Sequence, residues 1–168
     1  MGKTKKILLT QGKYAIVDEG DFEWLSQWKW HAVRKRDKYY ATRKVMLAYN
    51  RETKKITNQT IYLHRLLMGE PMGKEVDHRD GDSLNNCRFN LRECTHMQNL
   101  QNRPTRTIAK SGYKGVTWDK VLKRWFVRCT ANGYNHHVGY FYDVKEAALA
   151  YNKAALEYHG DFARLNDV

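Results

Sequence analysis

Cysteine is scarce in this chain. Cys87, Cys94 and Cys129 are three in number, and no two of them form a CxxC pair. An odd, scattered set argues against both a disulfide framework and a zinc site of paired thiolates. Long apolar runs are missing as well. Ile7-Leu8-Leu9, behind Lys3, Lys5 and Lys6, is too short for the apolar core of a secretion signal. No stretch approaches the ~20 apolar residues of a membrane span. A soluble, intracellular protein is expected, with no membrane role. Acidic residues are also in short supply. Eighteen Asp and Glu stand against thirty Lys and Arg, leaving a net charge of +12. That balance favours a polyanionic partner, most commonly nucleic acid.

Aromatic residues, by contrast, are plentiful. Five Trp and eleven Tyr argue for folded units rather than a disordered basic tail. With 168 residues there is room for one medium domain or two small ones. Small units bury modest cores, so stability is expected to lean on packing between units or on a bound polyanion.

Residues 1–60 read as a small, mostly β unit. Two short strands are expected over 7–17, about a turn at Gln11-Gly12. Asp21 is placed to cap a short helix carrying Phe22, Leu25 and Trp28. Strands follow from Trp28 to Val33 and from Tyr39 to Leu47, separated by a charged turn at Arg34–Lys38. Asn50 to Gln59 reads as a polar loop. Thr60 to Leu63 reads as a strand entering a helix near His64. The Trp and Tyr residues are assigned to the core, where aromatics dominate small units. Arg34, Lys35, Arg36, Lys38, Arg43 and Lys44 form a basic cluster that could follow phosphates or form a solvated surface.

The stretch 64–102 carries the chemistry. Asp77 and His78 are adjacent at the end of a short apolar run. Asn90 follows twelve residues after His78, and Asn99 nine residues later. Thr95 and Gln98 make a capping box, so Asn99 falls in the first turn of a helix and is expected to face back toward the strand. A strand, a loop and a helix thus gather one carboxylate, one imidazole and one amide oxygen. Asp80-Gly81 and Asn85-Asn86 are ordinary turn signals. A neutral His near pH 7 can accept a proton from water. One carboxylate with one amide oxygen suits magnesium, which keeps most of its waters. Metal binding without substrate should be weak.

Residues 62–102 resemble the HNH endonucleases, in particular the phage and intron-encoded homing type. Asp77-His78, Asn90 and Asn99 stand at that family's motif positions. The resemblance implies a ββα-metal site that hydrolyses DNA phosphodiesters. It implies Asp77 and Asn99 as ligands of one divalent cation, magnesium or manganese. It implies His78 as general base and Asn90 as the residue that bonds the loop backbone and holds His78. Some relatives carry a structural zinc held by cysteine pairs, and none is expected here. Around this set, His64 is placed near the metal or a phosphate, or as a structural hydrogen bonder. His96 shares a helix face with Asn99 and is a second candidate for metal or phosphate contact. Arg79, Arg88 and Arg92 flank the site and could neutralise phosphate charge.

Residues 103–111 read as a basic linker. Arg103 and Arg106 could lie along a DNA groove, or the segment could be a plain spacer. From Ser111 the pattern changes. Strands are expected over 112–118, 124–130 and 136–141, with a type I′ turn at Asn132-Gly133. Asp143 and Glu146 make a capping box for a helix with Val144, Ala147, Ala148, Tyr151, Ala154, Ala155 and Tyr158 on one face. YKGVTW, WFVR, VGYF, EAALAYNKAALEYHG and ARLN make this segment resemble the apetala/ethylene-response-factor DNA-binding domain. The resemblance implies a three-stranded antiparallel sheet on one helix, with the open sheet face in the major groove. It implies DNA-facing positions at Lys114, Thr117, Arg128, Thr130, Asn135 and His137. Thr117, Thr130, Asn135 and His137 depart from the plant pattern of Arg and Trp, and Arg128 stands for an acid, so base preference should differ.

The fold class expected is therefore α+β. A β-rich unit leads into the nuclease motif over 1–102, and the sheet-on-helix unit spans 112–168. The function expected is a metal-dependent DNA endonuclease addressed by its C-terminal sheet. Double-stranded DNA is the expected partner, with no protein partner evident and a monomer or weak dimer in solution. The expected place is the cytoplasm of a bacterial or phage-infected cell, on the nucleoid when bound. The alternative is a DNA-binding regulator with a silent motif, which the intact set of four argues against. An RNA-directed protein is the weaker third reading, for lack of RNA-stacking signatures.

Overall fold

Apolar alternation sets the first strand pair. In the computed structural model, which describes residues 2–103 and 110–168, β1 (Thr4–Leu8) pairs antiparallel with β2 (Tyr14–Asp18). Ile7, Ala15 and Val17 point into the core. Gln11 and Gly12 both take positive φ, 61° and 65°, and turn the chain between them. The helix that follows, α1 (Glu19–Ser26), starts earlier than its sequence suggests. Asp18 occupies the cap position without a side-chain cap bond, and Asp21 lies inside the helix. Asp21 is drawn inward instead, because Arg88 offers it a fork of two 2.8 Å bonds. A charged fork outcompetes a single cap bond.

A three-stranded sheet comes next, in the order β3 (His31–Lys35), β4 (Lys38–Asn50), β5 (Lys55–Tyr62). The loop expected over Asn50–Gln59 is largely strand. β4 runs on to Asn50, and β5 pairs back along it from Lys55. Ile56, Thr57, Thr60 and Ile61 are β-branched and favour the extended chain. Their polar neighbours Lys55, Asn58 and Gln59 hide the strand from any alternation test, since both faces of this ribbon are exposed at that end. A short helix α2 (Leu63–Leu67) leads to β6 (Glu75–His78), which pairs with β7 (Leu91–Cys94). Leu25, Trp30, Leu63, Leu67, Val76 and Leu91 close one core beneath these elements. Trp30 is fully buried, and its indole N–H donates to the Leu25 carbonyl at 2.9 Å. The assignment of this residue to the core holds.

The second body of the chain begins at Thr95. The described residues fall into two compact units, Met1–Cys94 and Thr95–Val168. The latter opens on α3 (His96–Gln101), whose Thr95–Gln98 capping box is present in both directions. Pro104 to Ala109, within the expected linker, lies outside the described residues, and Arg106 with it. β8 (Val116–Asp119), β9 (Arg124–Ala131) and β10 (Tyr134–Phe141) form an antiparallel sheet in the order β10-β9-β8. β8 starts at Val116 rather than 112, because Gly112 and Gly115 take positive φ. Gly115 has no alternative: a Cβ there would sit 2.1 Å from the Tyr151 ring. Asn132 and Gly133 both have positive φ, as a type I′ turn requires.

α4 (Val144–His159) packs on this sheet. The Asp143 side chain caps it through the N–H groups of Lys145 and Glu146. Ala147, Ala148, Ala154 and Ala155 let it lie close over Val116, Val127 and Cys129. The architecture is thus α+β, with small antiparallel sheets and a three-stranded sheet on one helix. Among the described residues no helix is long and apolar enough to cross a membrane.

Candidate functional site

The Asp77–His78 pair ends β6, and both side chains are buried. Across the ladder, Asp77 lies opposite Arg92 and His78 opposite Leu91. Asp77 Oδ2 accepts from Arg92 Nη2 at 2.7 Å and from Nε at 3.0 Å. Each side chain of that pair is only 7% exposed. The loop after His78 returns to β7 through a 3-10 turn at Arg88–Asn90. Asn90, nearly fully buried, staples that loop. Its Oδ1 accepts from the Asp80 N–H at 3.1 Å, and its Nδ2 donates to Asn85 O at 2.8 Å and Asp80 Oδ1 at 2.9 Å. Arg79 N–H donates to Asn90 O at 2.9 Å.

His78 meets a residue that its sequence context presents as a turn former. Asn86 is completely buried, and its Oδ1 lies 3.4 Å from His78 Nε2. The amide is not free to flip. Asn86 Nδ2 donates to Leu84 O at 2.9 Å, which leaves the oxygen toward the ring. An acceptor facing Nε2 favours the tautomer that carries the proton on Nε2. The loop is held in turn by β2, through Asn86 N–H to Ile16 O at 2.7 Å and Ile16 N–H to Leu84 O at 2.8 Å. Ser83 Oγ donates to Tyr39 O, and Lys38 Nζ to Gly81 O, tying the same loop to β4.

Burial lowers the basicity of His78, against the pull of Asn86, Asp80 and Asp77, so the ring is neutral at neutral pH. His64, on α2, packs its ring 5.1 Å from His78 and also against Tyr40 and Tyr62. Burial drops its pKa to about 3, helped by the charges of Arg65 and Lys35 and by the repulsion that a second proton on the His64–His78 pair would meet. Its Nδ1 is buried without a hydrogen-bond partner among the described residues.

Two arginines are already committed. Arg88 binds Asp21 and the Leu67 carbonyl, and Arg92 binds Asp77. Buried carboxylates hold both by paired hydrogen bonds; Arg92 is thereby enclosed, whereas Arg88 keeps 54% of its side chain exposed. Arg79 is exposed. Asn99 and His96 lie on α3, in the second unit, half-buried and exposed respectively.

In that second unit, Val127, Cys129 and Ala131 of β9 turn to the helix, so Arg128 and Thr130 turn away from it. His137 pairs with Arg128 and Asn135 with Thr130, and Thr117 flanks them on β8; all five are exposed. Thr130 Oγ1 donates to Asn135 Oδ1 at 2.6 Å. Phe126, His137 and Tyr140 cluster on the same sheet face, with centroids 5.3–5.4 Å apart. Reading the sequence alone misses Phe126 and Tyr140 as members of this face. The period-2 rule on WFVRC was the available signal. Lys114 departs from the expectation. Its ammonium donates to the carbonyls of Gln101 and Arg103, and burial lowers its pKa to about 8. Arg103 itself is exposed.

Residues 62–101 match the HNH endonuclease family. That range spans α2, the β6–β7 pair, the stapled loop and α3. An uncharacterized HNH endonuclease of Acanthamoeba polyphaga mimivirus is 30% identical over 168 residues, 96% of this chain and 80% of that protein. The chain belongs to the HNH endonuclease family. It is also 35% identical to Protein 3.8 of Escherichia phage T7 over 94 residues, 56% of this chain and 77% of that protein. Within the HNH match the tied-down loop and the neutral, buried imidazole are the chemically distinctive parts.

Proposed function

We propose that this HNH protein is a metal-dependent DNA endonuclease of the homing type. The observation that carries the reading is the His78 ring. It is neutral, biased to one tautomer by Asn86, and set beside Asp77. His78 takes a proton from water. The resulting hydroxide attacks the phosphorus of a DNA phosphodiester, and the bond to the leaving oxygen breaks. Asn90 holds the loop, and Asn86 is a positioning residue for the ring.

The donor set fits a hard cation. Among the described residues no three His, Cys, Asp or Glu side chains converge. Asp77 supplies one carboxylate, with Arg92 on its Oδ2, and the family resemblance adds the amide oxygen of Asn99. So sparse an oxygen set suits magnesium or manganese, which keep several waters, better than zinc. A cation held at Asp77 would supply positive charge for the phosphate.

The exposed sheet face of β8–β10 serves as the address, in the manner of an apetala/ethylene-response-factor domain. Arg128 and His137 are its polar readers, and Thr117, Thr130 and Asn135 complete the face. Lys114 is left out of the reading face, since its ammonium is bound within its own unit. An arginine that reads guanine is worth about 1–3 kcal/mol of discrimination. Arg128→Ala is therefore expected to lower preference for a selected site about tenfold. Nicking of unrelated plasmid should stay near the parent rate.

The test of the whole reading is purified protein on supercoiled plasmid, with magnesium or with chelator. Open-circle product with magnesium alone supports it. Tight DNA binding with no nicking on a selected site moves the assignment to a DNA-binding regulator with a silent motif. For Asn86, alanine should slow nicking about 10- to 100-fold, as losses of ring-orienting partners do. The ¹⁵N shifts of His78 should at the same time lose the pattern of an Nε2–H tautomer. Slowed nicking with the tautomer unchanged would reduce Asn86 to a structural role.

A further inference from the structure

Arg43 occupies an unusual position on β4. The β3–β4 ladder stops at His31 and Thr42, so β4 continues past this point with β5 alone. At that step the Arg43 guanidinium lies over the Trp28 ring at 4.2 Å and near Trp30 at 5.9 Å. Its Nε is buried without a hydrogen-bond partner among the described residues. Arg43 opens onto a groove of about 530 Å³, lined also by Trp28, Lys29, His31, Thr42 and Lys44. Three of these side chains are cationic, and none is acidic.

The other basic residues of the neighbourhood are differently placed. Lys38 donates to Gly81 O, Arg34 to Arg36 O, and Lys35 sits over Tyr62. Arg43 combines a charge, a rigid stacking platform and a donor without an acceptor among the described residues. Stacking on Trp fixes the plane of the guanidinium and leaves its in-plane N–H groups to meet an anion. A buried donor lacking a partner costs free energy until an acceptor arrives. Stacking preorganises the guanidinium plane, which lowers the cost of binding an acceptor oxygen.

The geometry points to an anion site in this groove that holds one phosphodiester of the DNA backbone. Arg43 provides the fork, and Lys29 and Lys44 provide flanking charge. The inference rests on the reading of the chain as a protein that acts on DNA. It adds a backbone anchor in the first unit that is separate from Asp77 and His78. A planar fork suits the two non-bridging oxygens of a phosphate. Free phosphate offers the same chemistry and is separated from DNA by the test.

The full chain is titrated without metal against a fluorescent 30-bp duplex of random sequence, from 50 to 300 mM salt. Three proteins are compared: the parent, Arg43→Gln, and the double variant Lys29→Ala/Lys44→Ala. Lys29 and Lys44 are both exposed, so the double variant is expected to keep its fold. Both variants are expected to bind about three- to tenfold more weakly, and the slope of log K against log salt should flatten by about 0.9 for each phosphate that is no longer neutralised. Arg43→Lys should recover charge but not the fork, and should fall between parent and Arg43→Gln. Unchanged affinity and slope in the double variant and in Arg43→Lys overturn the site, whatever the fold of Arg43→Gln. Inorganic phosphate is added separately while the Arg43 Nε–H resonance is followed. A shift with phosphate but none with duplex assigns the groove to small phosphates and overturns the DNA anchor. Binding by poly-glutamate in preference to duplex overturns it in favour of an acidic protein. If the parent binds duplex and the variants weaken it but no protein nicks, the anchor stands and the nuclease reading fails. If the parent nicks and the variants bind as it does, only the anchor fails.

Discussion

Nicking of supercoiled plasmid should fall about 10²- to 10⁴-fold in His78→Ala, the span that a general base contributes. Affinity for duplex should hardly change. The reason is the location of the ring. His78 is buried at the end of β6, hemmed by His64 and Asn86, and gives little surface to a backbone contact. The charged groups that attract DNA lie elsewhere, in a chain of net charge +12. A matched loss of binding and cleavage would instead mean that alanine disturbs the β6–β7 pair. Melting of the variant separates that outcome, since truncating a buried ring lowers stability even where the chemistry is untouched. His64→Ala is the natural control. It removes an equally buried ring from the same stack but no proton acceptor for water.

The outline of this site was legible in the sequence because it is local. Asp77 and His78 are neighbours, the loop back to Asn90 is short, and Thr95 and Gln98 declare the start of α3 by two reciprocal bonds, each from a backbone N–H to the other's side chain. The second unit was legible for a similar reason. Asn132-Gly133 demands a tight hairpin, and the alanines of α4 repeat at helical spacing. What stayed hidden depends on partners far apart in the chain. Asp21 looks like a cap until Arg88, 67 residues on, is seen to claim it. Asn86 looks like a turn residue until the chain around it is tied to β2 at Ile16. Lys114 belongs by pattern to an open face, yet its long stem reaches carbonyls of its own unit, which sequence spacing cannot foresee. The β4–β5 ribbon was hidden for a different reason. With both faces in water it has no apolar alternation, and only β-branched content marks it.

Arg92→Met is expected to cost about 3–5 kcal/mol of folding stability, because it strands the Asp77 carboxylate in a place where each partner is only 7% exposed. That is a large part of the ~5–15 kcal/mol available to a domain. Urea unfolding of the full chain should show the loss as a lower midpoint for the first transition. The double variant Asp77→Leu/Arg92→Met should regain most of it, since an apolar pair of similar volume avoids both desolvation and the stranded charge. A recovery of stability without any recovery of nicking would separate the two duties of Asp77. A buried ion pair is a poor way to gain stability, because desolvation consumes much of the attraction. Here the pair holds a carboxylate oriented one residue from the proposed base. Arg92 clamps Oδ2 from two nitrogens, so the carboxylate cannot rotate about its own axis without breaking both bonds. If the single variant costs less than ~0.5 kcal/mol, as a surface change does, the pair is open to water in solution and the fixed orientation of Asp77 must come from the β6–β7 backbone instead.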